Sequence, residues 1–65
     1  MTNADWFNWG QFTQAQDWSG FTAEQVSTLI AYSEHNACDV PAENQLEVMK
    51  DTLSMYLDGS LDLPF

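Results

Sequence analysis

The 65 residues read as a small all-α protein, a three-helix bundle over approximately residues 2–16, 22–36 and 41–58, with a short C-terminal tail at 60–65. Three features carry that reading. A Thr-x-x-Gln capping box opens at Thr22, apolar residues recur at helical spacing in two stretches, and Pro41 and Gly59 punctuate the second of them. A chain of this size hides only about 60% of the surface that it exposes when unfolded, so residues 1–65 are expected to form a single small helical domain.

The first segment, residues 1–21, holds six of the nine aromatic residues: Trp6, Phe7, Trp9, Phe12, Trp18 and Phe21. A helix can start at Thr2, with Asp5 three residues later as a capping-box partner. Trp6, Trp9 and Thr13 would then share its inner face. Gly10 weakens this helix, and an N-terminal hairpin is the structural alternative. Asp17-Trp18-Ser19-Gly20 reads as a turn.

The second helix has the clearest start. Thr22 is a good N-cap, Gln25 completes the box, and Phe21 before the cap can staple onto Val26. Val26, Leu29, Ile30, Ser33 and Ala37 follow on one face. Asn36, which tolerates the left-handed conformation, is the expected stop. The third helix opens at Asp39-Val40-Pro41, where proline suits a first turn because its missing N–H has no helical partner there. Ala42, Leu46, Met49, Leu53, Tyr56 and Leu57 line its face, and Gly59 supplies a left-handed end.

Charge narrows the function. Ten Asp and Glu stand against one basic residue, Lys50, for a formal net charge of −9. Direct contact with nucleic acid or an anionic membrane is not expected, because such contacts run on Lys and Arg and residues 1–49 contain neither. The nine aromatics argue against an acidic disordered chain. The longest apolar run, Leu29-Ile30-Ala31-Tyr32, is far too short to span a bilayer. The N-terminus lacks the basic region of a secretory signal, and the one cysteine, Cys38, cannot form an internal disulfide. Together these point to a cytoplasmic protein.

No catalytic constellation is present. His35 and Cys38 lie on one side of a helix turn, flanked by Glu34 and Asp39, but zinc sites draw four ligands mainly from several Cys and His. Asp58-Gly59-Ser60-Leu61-Asp62 has calcium-loop letters without the spaced ligands or closing Glu of an EF-hand. No phosphate loop, nucleophile elbow or metalloprotease motif occurs. Neither enzymatic activity nor a metal or cofactor is expected.

The acids themselves form the candidate site. Glu43, Glu47 and Asp51 fall at i, i+4 and i+8, so their Cα atoms rise about 6 Å per step, and Asp58 rejoins the stripe two turns later. Like charges at this spacing cost a helix a few tenths of a kcal/mol per pair, with only Lys50 adjacent to offset them. Either this is a solvated face, or it is a functional surface supplemented by Asp5, Asp17, Glu24, Glu34 and Asp39. A functional acidic surface would be drawn to a basic groove by long-range attraction that salt weakens. A second candidate is apolar. Val48 and Met55 share another stripe of the third helix, and Leu61, Leu63 and Phe65 lie in the tail. They serve either as cover for the core or as an anchor for a partner or a second copy.

In size, acidity and aromatic content the whole chain resembles small phage-encoded inhibitors of the anti-CRISPR and anti-restriction type that mimic DNA; the resemblance is one of composition, with no shared motif. It implies a monomeric or homodimeric, stoichiometric inhibitor in the host cytoplasm that occupies a basic nucleic-acid-binding surface of a host defence complex. A helical adaptor or dimerising module on an apolar protein surface is the alternative.

Overall fold

The computed structural model describes residues Met1–Phe65 and contains three helices, α1 (Asn3–Gln14), α2 (Ala23–Asn36) and α3 (Ala42–Asp58), with no strands. The first segment is thus the expected helix, and the alternative N-terminal hairpin is not formed. Both capping boxes form as the sequence implies. Thr2 Oγ1 accepts the Asp5 N–H, and the Asp5 carboxylate accepts the Thr2 N–H, each at 3.1 Å. Thr22 and Gln25 exchange the same pair of bonds, also at 3.1 Å. N-terminal donors at the starts of α1 and α2 are thus satisfied locally.

The helix ends depart from expectation in three places. α1 stops at Gln14 rather than near residue 16, because side chains take over its last carbonyls. The Trp18 indole Nε1–H donates to the Thr13 carbonyl at 2.7 Å, and Gln16 Nε2 donates to the Phe12 carbonyl at 2.9 Å. α2 ends at Asn36 without a left-handed residue. Ala37 follows at φ −96°, ψ 1°, and the Asn36 side chain instead crosses to α3, donating to Thr52 Oγ1 at 2.9 Å. Pro41 sits one position before α3 as its N-cap, at φ −51° and ψ 144°, and its carbonyl accepts from the Asn44 N–H at 2.8 Å. The expected stop at Gly59 is present, with φ +89°.

Trp9, Leu29, Ala37, Met49 and Leu53 make the buried core, one or two residues from each helix and one from the α2–α3 turn. α3 is the central element, packed against both α1 and α2. Phe12, Trp18, Phe21, Ile30, Leu46, Val48, Tyr56 and Leu57 close around this core as half-buried side chains. Trp6 does not join the inner face with Trp9 and Thr13; it is 48% exposed. The core is narrow enough that only the middle of the α1 stripe is covered, and Trp6 lies at the stripe's edge, on the first turn. The buried polar groups are satisfied within the chain: Thr13 Oγ1 donates to the Gly10 carbonyl and Ser33 Oγ to the Leu29 carbonyl, both at 2.9 Å. No buried side-chain polar atom lacks a partner, which matters because each orphan would cost ~1–3 kcal/mol.

After Gly59 the chain turns back on itself, with the Leu61 N–H donating to the Met55 carbonyl at 3.1 Å. The tail ends with the Phe65 ring edge-on to Phe21 at 6.4 Å, and Phe21 is in turn edge-on to Trp18 at 5.9 Å.

Two glycines predict opposite outcomes. At Gly59 the left-handed backbone disfavours a side chain, so Gly59→Ala should cost about 1–2 kcal/mol. At Gly10, inside α1, an added Cβ meets nothing within 4 Å, so Gly10→Ala should stabilise by up to ~1 kcal/mol. Leu53→Ala, which empties a fully buried site, should cost about 2–5 kcal/mol, much of what a domain this size holds. Urea unfolding followed by circular dichroism reads all three.

Candidate functional site

The outer face of α3 presents Glu43, Glu47, Asp51 and Asp58, all exposed, while Met49, Thr52 and Leu53 on its opposite side are buried. From Glu43 to Asp58 the row runs about 22 Å along the helix axis. Glu24, in the first turn of α2, and Asp39, in the α2–α3 turn, are exposed as well, as are Asp17 and Asp62. Glu24 also favours its helix electrostatically, since a negative charge at a helix start meets the positive end of the macrodipole.

The remaining two acids belong to the fold. Asp5 closes the α1 capping box. Glu34 is half-buried, and its Oε2 accepts the Trp9 indole Nε1–H at 2.8 Å. This charge-assisted bond ties α2 to α1. Glu34 thus serves first as the acceptor that a buried indole requires. No sequence spacing announces the pairing, although a tryptophan on a buried helix face was a signal that some acceptor must exist.

Lys50 also serves the fold. Its ammonium lies over the Phe12 ring, 5.5 Å from the centroid. The only basic side chain of the protein is half-buried in a cation–π contact with α1, a contact worth ~0.5–1 kcal/mol at a partly exposed site.

Two of the exposed acids are held in short polar turns. Ser19, through its hydroxyl (2.6 Å) and then its backbone N–H (3.0 Å), keeps the Asp17 carboxyl below its ordinary value. Ser60 does the same for Asp58 at the α3 terminus, through its hydroxyl and then its backbone N–H, the latter 2.8 Å from Oδ1. Hydrogen bonds to the ionised form favour it.

The apolar candidates divide. Val48 is half-buried against the core, whereas Met55, Leu61, Leu63 and Phe65 are 37%, 36%, 42% and 51% exposed. The tail is at once a clasp, through Phe65 on Phe21, and an exposed apolar segment. Trp6, Phe7 and Tyr32 are exposed too; the sequence pattern places Trp6 on the inner face and singles out neither Phe7 nor Tyr32, because it counts helical spacing but not the depth of the core beneath it. A cleft of about 270 Å³ opens beside Trp6 and Glu34, and a broader hollow lined by Asp5 and Glu43 adjoins it across Met1.

His35 and Cys38 are both exposed, and no group of three or more His, Cys, Asp or Glu is placed to hold a metal ion. No helix is long and apolar enough to cross a membrane. No family model matches the chain, and no curated protein or solved structure is significantly similar to it.

The acid row should keep its charge at its Asp58 end well into acidic conditions. In an NMR pH titration, the Asp17 and Asp58 midpoints should fall below the ~3.9 of a free aspartate, and Ser60→Ala should move Asp58 upward. Because both folded values are lowered, their contribution to stability is present above ~3.9 and is lost as pH falls through the folded values. Exposure and screening keep that contribution small.

Proposed function

We propose that the protein is a stoichiometric inhibitor whose acidic face occupies a basic, nucleic-acid-binding surface of a host protein or complex. The observation that carries this reading is the division of its charges. The only basic side chain, Lys50, rests on Phe12, while Glu43, Glu47, Asp51 and Asp58 stand exposed on the outer face of α3. Beyond Glu43, which meets the positive end of the α3 macrodipole, the row gives nothing to the helix that bears it, since like charges one turn apart repel. A basic partner would relieve that repulsion on binding, and its approach would be accelerated by the field of the whole molecule.

The charge density favours imitation of a single strand over a duplex. Nine net negative charges along a 32 Å long axis amount to one per roughly 3.6 Å, against ~3.4 Å along one nucleic-acid strand and ~1.7 Å for the duplex. The anti-CRISPR and anti-restriction type of inhibitor is the class this reading favours, acting in the cytoplasm of the host cell.

A second reading, an adaptor that binds an apolar protein surface, draws on the exposed Trp6, Phe7, Met55 and tail residues. Salt separates the two. The immobilised protein should capture single-strand-binding proteins from a heparin-purified lysate fraction at 50 mM salt and release them at 500 mM or on addition of an oligonucleotide. Glu43→Lys combined with Glu47→Lys should weaken capture at least tenfold without loss of helicity. Capture indifferent to salt, oligonucleotide and charge reversal would refute the inhibitor reading. If it were lost instead on Phe7→Asp or removal of residues 61–65, the adaptor would stand.

A further inference from the structure

Beside the acid row lies a cleft whose chemistry is more specific than charge. Met1, Trp6, Cys38 and Met49 supply its apolar walls, and Glu34 and Gln45 its polar groups, around a volume of about 270 Å³. At ~30 Å³ per water this is space for about nine waters, just short of the ~300 Å³ at which small-molecule pockets begin. One long side chain suits it better than a metabolite.

The groups in the cleft select a cation with several donors and a flat face. Glu34 commits Oε2 to Trp9, and its Oε1 accepts no hydrogen bond within the chain. Gln45 donates Nε2 to the Ala37 carbonyl at 3.3 Å, which leaves its amide oxygen as a second acceptor. Trp6, nearly half exposed, lines the cleft with an indole, the strongest of the aromatic partners for a cation. The hollow across Met1, lined by Asp5 and Glu43, joins the cleft to the first acid of the α3 row. A positively charged group drawn to the row therefore meets the cleft on the same surface. A carboxylate or phosphate would meet Glu34 and be repelled. An ammonium satisfies the charge, but a guanidinium also stacks on the ring and reaches both acceptors, and it is the more weakly hydrated of the two.

Building on the acidic-surface reading, we propose that this cleft holds one arginine side chain of the basic partner, its stem against Met1 and Met49, its guanidinium over Trp6 and hydrogen-bonded to Glu34 Oε1 and the Gln45 amide oxygen. The row supplies attraction to any basic surface; the cleft distinguishes arginine from lysine.

The test titrates the isotope-labelled full-length protein with nona-arginine and, separately, with nona-lysine, peptides of equal charge. The expected result is a severalfold arginine preference, because the planar, weakly hydrated guanidinium stacks and reaches two acceptors where an ammonium does not, with shifts of the Trp6 indole and Met49 methyl signals by nona-arginine. Glu34→Gln, which retains an oxygen for the Trp9 indole, and Trp6→Leu should each bring the preference to near unity. Glu43→Lys with Glu47→Lys should weaken both peptides and preserve the ratio. Equal binding with unmoved Trp6 and Met49 signals, or a preference that survives both cleft variants, overturns the cleft and leaves the acid row standing. If neither peptide binds at low salt, the acidic-surface reading fails and the cleft with it.

Discussion

The bond from the Trp9 indole to Glu34 is the interaction on which the rest of the structure depends. α1 brings one large ring into a five-residue core, and a buried indole N–H must find an acceptor. Glu34 supplies it at 2.8 Å, so the deepest aromatic residue and one of the ten acids become a single unit linking α1 to α2. The consequence for function is a separation of roles. Asp5 and Glu34 are bound into the fold, Asp17 and Asp58 are set in serine turns, and Glu24, Asp39, Glu43, Glu47, Asp51 and Asp62 make no side-chain hydrogen bond that shapes the bundle.

The local features of the fold were legible in the sequence. Thr2 with Asp5, Thr22 with Gln25, and Gly59 act within a few residues of themselves, so their letters and spacing suffice. The same holds for the acid row, whose exposure follows from the angle it makes with Met49 and Leu53 around one helix. What was not legible is what crosses between helices. Asn36 has the composition of a left-handed helix stop, yet the neighbouring Thr52 makes it a helical residue with an interhelix bond. Lys50, adjacent to the acids in sequence, rests on Phe12 of another helix. Trp6 has the right spacing for the core, but the core is too small to reach it.

That last departure has the widest bearing on function. A chain of this length cannot cover all of its aromatic residues, and those left over are exposed in places set by the packing of the others. Trp6 thereby comes to stand beside Glu34, with an apolar wall and a carboxylate in one cleft, close to the acids that attract a cation from a distance. The same economy leaves Val48 under cover and Met55 with the tail in the open. In the proposed complex, long-range charge would govern encounter and short-range shape would govern discrimination among basic groups.

The inhibitor function requires that the exposed acids be uncompensated within the protein and so remain available to a partner. The dependence of the thermal midpoint on sodium chloride tests it most directly, without any partner. At 0.01 M salt the screening length is ~30 Å, close to the 32 Å length of the molecule, whereas at 1 M it is ~3 Å, shorter than one step of the acid row. Uncompensated acids repel across the whole molecule in the first case and scarcely at all in the second. The midpoint should climb by several degrees between the two conditions, and by less in Glu43→Gln combined with Glu47→Gln. A midpoint that stays level or falls as salt is added would mean that the acids are already satisfied by the fold and are not held free for a partner.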